Sequence, residues 1–236
     1  ALQAGDFCAV LADHHMGKSS LMFRAARRLQ AQGARAATFD LSGFNPQLDI
    51  ETAYLILLKR LKLELDLPVN PDKWWADHNN LEAGPRFVLF LQRVVLAEIE
   101  QPLVVFMDGV NRASLNIKFF DSLTQTIQQI YDHRDSEPAY TRLSFAVFGM
   151  ATPDDLIQKN NQRLFTTGRN ITLQEFTPAK AAPLQQALPI NDAAQKQAIF
   201  DRILYWTNGH PYLTQKLCLL AATMWKPSSS AEQIDW

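Results

Sequence analysis

This chain of 236 residues has few cysteines, no excess of charge of one sign and no long hydrophobic run. Its two cysteines, Cys8 and Cys218, lie far apart without a CxxC spacing, which argues against a zinc ribbon or a disulfide scaffold. A reducing compartment, the cytoplasm, is therefore expected. Lys and Arg number 23 and Asp and Glu 24, a formal net charge of −1. That balance gives the whole chain no attraction to nucleic acid or to an anionic membrane.

The apolar runs are short, and those such as 103–107 are far too short to cross a bilayer. Hydrophobic residues nevertheless make up 47% of the chain and charged residues 20%, a balance typical of a packed globular protein rather than a disordered one. The sequence begins at Ala1 with neither an initiator Met nor a signal peptide. We therefore expect a domain excised from a longer protein.

Short apolar runs alternate with longer amphipathic stretches, which predicts an α/β protein with helical crossovers. The five expected strands cover residues 7–11, 36–41, 103–107, 143–148 and 171–173, with helices between them. After Pro183 the pattern predicts helices alone, at about 192–206 and 211–224. We expect two domains: an αβ core over residues 1–178 and a helical lid over residues 179–236 that is truncated at its C-terminus.

The strongest chemical signal is Ala-Asp-His-His-Met-Gly-Lys-Ser-Ser at residues 12–20, between the first expected strand and the first expected helix. Such a turn presents backbone N–H groups at the positive end of a helix, where a phosphate binds. Gly17 would let the phosphate approach, Lys18 would place a charge on the β- and γ-phosphates, and the Ser19 hydroxyl would bind Mg²⁺. The full pattern has glycine in place of Ala12, and the alternative is a chance Gly-Lys-Ser at a helix start.

A second signal is the segment Leu-Val-Val-Phe-Met-Asp at residues 103–108, which has the form of a Walker B strand. Asp108 at its end would hold Mg²⁺, or the water around it, opposite Ser19. The alternative is an ordinary buried strand that ends in a turn-forming Asp-Gly. The loop at residues 12–20 favours the Walker B interpretation, because the two segments are expected together.

Nearly the whole chain resembles the AAA-like P-loop domains of STAND-type signalling ATPases, which are common in cyanobacterial multidomain regulators. The resemblance rests on these segments: 16–22 (Met-Gly-Lys-Ser-Ser-Leu-Met), Trp74-Trp75, Arg86-Phe87, Phe90-Leu91, 105–108, 149–153 (Gly-Met-Ala-Thr-Pro), 155–157 and 206–218 (Trp-Thr-Asn-Gly-His-Pro-Tyr-Leu-Thr-Gln-Lys-Leu-Cys). The last string is long and specific, which makes coincidence hard to credit.

The resemblance implies a P-loop NTPase with a mainly parallel five-stranded sheet of order 5-1-4-3-2, which binds Mg²⁺ with ATP or ADP as a regulatory switch. It assigns nucleotide contacts to Met16, Gly17, Lys18, Ser19, Ser20, His210 and Pro211, and a γ-phosphate sensor to Thr152. It also implies fused effector or repeat domains and a nucleotide-dependent oligomer, whereas a membrane or nucleic acid partner is not expected. The residues themselves allow another interpretation of the lid element, with Pro211 as the first residue of a helix capped by Asn208 or Gly209.

The departures from the family pattern bear on catalysis. Relatives follow the Walker B aspartate with a glutamate that positions the attacking water, but this chain has Gly109 there and Asn111 at the family's next aspartate. No acidic residue occurs between positions 109 and 120. Loss of a general base commonly costs ~10²–10⁴ in rate, while binding is affected far less. We therefore expect Mg-nucleotide binding with slow or absent hydrolysis.

Several smaller features have two interpretations each. His14 and His15 are a metal pair without a third ligand, or part of a solvated loop. Trp74 and Trp75 are an exposed partner-binding patch, or one core indole and one half-buried indole. Arg163 and Arg169 lie in sequence where an arginine that contacts the γ-phosphate or a neighbouring subunit is found in such ATPases.

The leading hypothesis is a nucleotide-dependent switch, and three alternatives remain. A degenerate scaffold that binds only proteins is supported by Ala12, Gly109 and Asn111 but opposed by the intact Gly-Lys-Ser. An active ATPase on nucleic acid is opposed by the net charge and by the lack of a basic, aromatic-interleaved run. A small-molecule kinase is the weakest alternative, since no arginine-rich substrate lid is evident.

Overall fold

The structure is a computed structural model that describes residues 1–44, 46–111, 116–150 and 162–224, apart from the side chains of Asn111, Gln162 and Arg163. The strands are β1 (Cys8–Leu11), β2 (Arg35–Asp40), β3 (Leu103–Asn111), β4 (Leu143–Met150) and β5 (Arg169–Thr172). Strand β3 runs four residues past the expected 103–107, and β5 begins two residues before the expected 171–173; the other three strands match their predicted segments to within two residues.

The helices within these residues are α1 (Lys18–Ala31), α2 (Ile50–Leu65), α3 (Pro71–Asp77), α4 (Ala83–Phe90), α5 (Ile117–Asp132), α6 (Gln162–Thr167), α7 (Pro178–Gln186), α8 (Ala193–Thr207) and α9 (Pro211–Met224). Helix α4 continues through a π turn at Leu91–Val95 into a last turn at Leu96–Glu98. Short 3₁₀ turns cover Leu2–Ala4 and Pro138–Arg142. Polar residues begin several helices, since the side chains of Asp49, Asn70, Asn116, Thr177 and Asp192 accept hydrogen bonds from first-turn backbone N–H groups.

All five strands are parallel and lie in the order β2-β3-β4-β1-β5, which confirms the predicted five-stranded sheet and its strand order. In a parallel sheet every strand delivers its carboxyl end to the same edge. The loop after β1 and the aspartate at the end of β3 therefore reach one edge, as the two sequence signals require. Asp40, the last residue of β2, is paired directly with Asp108 there.

Both faces of this sheet are buried, which explains the continuous apolar runs of its strands. On one face, side chains such as Leu11, Phe39 and Met107 pack with helices α2, α4 and α5. On the other face, Val10, Phe106 and other alternating residues pack against α1. The strand side chains alternate between the two clusters, so β3, an interior strand between β2 and β4, is packed on both faces.

Contacts divide the chain into two compact units, residues 1–14 with 18–173 and residues 15–17 with 174–236. The second unit has its own core, built from Ala181, Leu188, Ile190, Phe200, Ile203 and Cys218. Within the described residues no helix has the length and apolar character needed to cross a membrane.

The Asn-Gly-His-Pro element of the second unit is a helix junction. Asn208 ends α8 with φ +47°, and Gly209 follows with φ +73°. The Gly209 carbonyl accepts a hydrogen bond from the Phe176 N–H at 2.8 Å, and a Cβ on Gly209 would lie 2.2 Å from the Phe176 carbonyl oxygen. Only glycine fits this junction, so packing within the unit accounts for it.

Replacement of Gly209 by alanine should therefore destabilise the second unit by at least about 2 kcal/mol, because backbone strain and a steric clash combine. Urea unfolding followed by circular dichroism measures the loss. The matched control is Gly33→Ala, since Gly33 also has a positive φ, +88°, but no atom within 4 Å of an added Cβ. If Gly209→Ala and Gly33→Ala lowered the free energy of unfolding equally, the packing argument would be contradicted.

Candidate functional site

The loop between β1 and α1 is anchored at its start and open at its end. The Ala12 N–H donates a hydrogen bond to the Gly149 carbonyl at the end of β4, at 3.2 Å. Gly17 has φ +88°, and an added Cβ there would meet nothing within 4 Å. Gly17 is therefore required by its backbone conformation rather than by packing. Helix α1 begins at the next residue, so its free N–H groups lie at the end of this loop.

Lys18 is held at the loop by backbone oxygens. Its Nζ donates to the carbonyls of Ala12 at 2.8 Å and Asp13 at 2.5 Å. Burial lowers the pKa of Lys18, and the nearby carboxylates of Asp108 and Asp13 oppose that shift. The lysine is thus a partly desolvated donor beside the helix N-terminus, an environment in which an anion is bound favourably.

A short hydrogen bond joins helix α1 to strand β3. The Ser19 hydroxyl donates to Asp108 Oδ2 at 2.6 Å, although the two residues are 89 positions apart. The other carboxylate oxygen of Asp108 accepts the Gly109 N–H at 2.8 Å, and its carbonyl accepts the Leu41 N–H at 2.9 Å. A hydroxyl and a carboxylate held side by side are the oxygen ligands that Mg²⁺ prefers, so the donor set fits this ion.

The backbone after Asp108 departs from regular strand geometry. The pairing of β3 with β4 shifts register between Met107 and Val110, which marks a β-bulge at 108–109. Gly109 in this bulge has φ +78°, and an added Cβ would lie 2.8 Å from both Asp40 Oδ1 and the Ser42 backbone nitrogen. The backbone here admits no glutamate at position 109, because the first side-chain carbon already has no room.

The structure adds Asp40, a residue that sequence reasoning missed. Asp40 is the last residue of β2, and the parallel pairing sets it opposite Asp108 of β3. Hydrogen bonds from Ser42 hold the pKa of the Asp40 carboxyl below its usual value, with a smaller contribution from Arg60, so the group is ionised at neutral pH. The sequence offers one signal for this residue, an acidic side chain close to the end of the strand expected at 36–41.

The remaining predicted site residues are distributed over the two units. Met16 is buried and Ser20 is exposed in the loop. His210 and Pro211 lie in the second unit, where His210 Nδ1 accepts the Leu213 N–H at the start of α9. The predicted sensor Thr152 lies outside the described residues, as do the side chains of Asn111 and Arg163.

Arg169 lies at the opposite end of the sheet from the loop. It pairs in register with Cys8 at the start of β1, and its Nε contacts Asp6 Oδ2 at 3.0 Å. The suggestion that it contacts a γ-phosphate within this chain is therefore wrong, because the amino ends of the strands are at the far edge.

The tryptophan pair is explained by packing. Trp75 is buried, donates to Glu51 at 3.1 Å and lies under the Arg86 guanidinium, while the half-buried Trp74 packs against Phe90. This matches the interpretation of one core indole and one half-buried indole.

In the second unit, His15 has φ +60° and its ring stacks on Tyr212 with 4.8 Å between centroids.

The loop, the parallel sheet and the strand-end aspartate together define a P-loop nucleoside triphosphatase fold. The AAA-like domain family matches residues 1–229, and the chain belongs to that family. It is also 35% identical over 225 residues to an uncharacterized WD repeat-containing protein of Synechocystis sp.. That match covers 94% of this chain but only 19% of the relative, so the chain spans about a fifth of the relative's length.

Solved structures resemble the chain in fold. The ORC2 protein of Aeropyrum pernix, in ADPNP-ADP complexes, has a TM-score of 0.52 at 10% identity, covering 93% of this chain and 62% of that one. The Aeropyrum pernix ORC1 protein in complex with DNA has a TM-score of 0.53 at 10% identity, covering 92% of this chain and 53% of that one. AMPPCP-bound DnaA from Aquifex aeolicus has a TM-score of 0.51 at 10% identity, covering 90% of this chain and 53% of that one. At such low identity the likeness shows the fold alone.

The bulge geometry predicts that Gly109→Ala destabilises the first unit by at least about 2 kcal/mol, since a left-handed residue and a clash with Ser42 are combined. Thermal and urea unfolding measure this. Gly43→Ala is the control, because Gly43 lies at the same sheet edge, outside the positive-φ region, and an added Cβ meets nothing within 4 Å. A Gly109→Ala protein as stable as the Gly43→Ala protein would contradict the proposed constraint.

Proposed function

We propose that this chain is the Mg-nucleotide-binding switch module of a STAND-type signalling protein, and that it hydrolyses ATP slowly. The observation that carries the proposal is the 2.6 Å hydrogen bond between Ser19 and Asp108 beside the partly desolvated Lys18. It supports a site that combines a cation, a helix N-terminus and two magnesium-type oxygen ligands within one compact unit.

The proposed roles follow from the chemistry of each group. Backbone N–H groups at residues 16–20 would bind the phosphate oxygens, and Lys18 would donate to the β- and γ-phosphates. Ser19 and Asp108 would hold Mg²⁺, which neutralises phosphate charge when it is bound. The assignment of Thr152 as a γ-phosphate sensor and of His210 and Pro211 as nucleotide contacts stays a prediction from the resemblance.

Slow hydrolysis is proposed because the usual glutamate cannot occupy position 109. A domain that binds nucleotide tightly and turns it over slowly stays in one nucleotide state for a long time, which suits a regulatory switch. We propose that residues 1–178 bind the nucleotide and that residues 179–236 form the lid whose arrangement responds to it.

The proposed partners are fused domains and other copies of the protein. The WD repeat-containing relative, of which this chain matches 19%, supports a parent protein with repeat domains that read the nucleotide state. We propose that the parent works in the cytoplasm and forms nucleotide-dependent oligomers. Neither a membrane nor nucleic acid is part of the proposal, in keeping with a formal net charge of −1.

A titration of fluorescent ATP with Mg²⁺ tests the proposal. The native chain should bind saturably, and Lys18→Ala should weaken binding by roughly 10- to 100-fold, because charged hydrogen bonds contribute ~1.5–3 kcal/mol. Arg24→Ala is the control: it removes the same charge from an exposed position on the same helix, and its affinity should stay within about twofold.

A folded native chain that binds no nucleotide would contradict the proposal and support the protein-binding scaffold. Equal affinities of the native chain and the Lys18→Ala variant would contradict the phosphate-binding role of the loop.

A further inference from the structure

The space that a side chain at position 109 would need is filled by a carboxylate from another strand. A Cβ on Gly109 would lie 2.8 Å from Asp40 Oδ1. The Asp40 carboxylate therefore lies beside position 109, where glycine supplies no side chain. It is the side chain nearest to that point, closer than the Cβ of Ser42 at 3.1 Å.

The sheet fixes this arrangement from two sides. Asp40 pairs in register with Asp108 across neighbouring parallel strands, which run about 4.8 Å apart. Beyond the last paired residues, the Leu41 N–H donates to the Asp108 carbonyl at 2.9 Å and keeps the two strand ends together. Asp40 is thus held at the same edge as the Ser19–Asp108 pair by backbone contacts on both strands.

The carboxylate itself is oriented and reachable by water. The Ser42 N–H donates to Asp40 Oδ1 at 2.9 Å, which limits rotation of the carboxylate. The Asp40 residue is exposed, so solvent water has access to it. An oriented carboxylate that accepts hydrogen bonds at the edge of a phosphate site is the chemical requirement for positioning an attacking water.

We propose that Asp40 orients the water that attacks ATP, in the role for which position 109 has no side chain. This inference rests on the proposed nucleotide binding. The water oxygen forms a bond to the γ-phosphorus, and the bond from that phosphorus to the β,γ-bridging oxygen breaks with its electron pair on ADP. The proton passes from the water to an oxygen of the released phosphate.

The same geometry explains why the reaction is slow. An aspartate side chain is one methylene shorter than glutamate, and Asp40 acts from a neighbouring strand rather than from the residue after Asp108. Both differences lengthen the reach to the attacking water. Positioning of the water depends on hydrogen-bond distance, so the contribution of Asp40 falls short of that of a well-placed glutamate, which also takes the proton.

The experiment compares the native chain with Asp40→Asn in three measurements: affinity for fluorescent ATP, single-turnover hydrolysis, and affinity for ADP with aluminium fluoride as a mimic of the transferring phosphate. ATP affinity should stay within about twofold. The hydrolysis rate should fall by at least about tenfold, a smaller effect than the ~10²–10⁴ of a well-placed general base. Affinity for ADP with aluminium fluoride should fall while affinity for ADP alone does not.

Two further variants are the controls. Asp66→Asn removes the same charge at an exposed helix end, where asparagine fits the left-handed backbone. It should leave the nucleotide affinities and the hydrolysis rate unchanged. Asp40→Glu restores a carboxylate and should hydrolyse ATP faster than Asp40→Asn. This comparison also identifies a simple folding defect, because a structural role for Asp40 would not be rescued by the longer acid.

An unchanged hydrolysis rate in Asp40→Asn would overturn the inference, as would a native chain that binds ATP but hydrolyses none of it. A parallel loss of ATP affinity in Asp40→Asn would also overturn it, since Asp40 would then act in binding. In all three cases the native chain still binds nucleotide. Failure of the native chain to bind any nucleotide would instead remove the proposed function, and the inference with it.

Discussion

The hydrogen bond between Ser19 and Asp108 is the contact on which the candidate site depends. It joins the first turn of α1 to the end of β3 at 2.6 Å, across 89 positions of sequence. The bond is possible because all strands of the sheet are parallel and deliver their carboxyl ends to one edge. Burial of both sheet faces then holds that edge rigid, so the hydroxyl and the carboxylate are set in place before any ligand binds.

The bulge at 108–109 sets the backbone conformation at position 109. Gly109 has φ +78°, and an added Cβ there would lie 2.8 Å from Asp40 Oδ1 and from the Ser42 backbone nitrogen. Glycine is therefore required by the backbone at this position. The carboxylate of Asp40, which ends the neighbouring strand, lies beside it.

Much of this was predictable from residue patterns, because periodicity and local motifs identify strands, helices and the phosphate loop. The parallel order followed from the resemblance to a family, and Ser19 and Asp108 were paired by function before their contact was known. Asp40 is not identified by the pattern, because the expected strand 36–41 runs past it and the register that sets it opposite Asp108 is seen only in the structure. For Arg169 the sequence leaves two possibilities open, and the structure removes the γ-phosphate contact because the residue lies at the other edge of the sheet. Local physics predicts Pro211 as the first residue of a helix, which is confirmed, but His210 rather than Asn208 or Gly209 contacts the first turn of that helix.

The central claim is that Ser19 and Asp108 form a magnesium-dependent nucleotide site, and the Mg²⁺ dependence of ATP affinity tests it most directly. Isothermal titration of ATP, with Mg²⁺ and with a chelator, should show binding to the native chain that is at least about tenfold tighter with the ion. Asp108→Asn keeps the side-chain shape but removes the charge, and its ATP affinity should be nearly the same in both conditions. Native binding that is indifferent to Mg²⁺, or an Asp108→Asn variant that retains the full Mg²⁺ effect, would contradict the account.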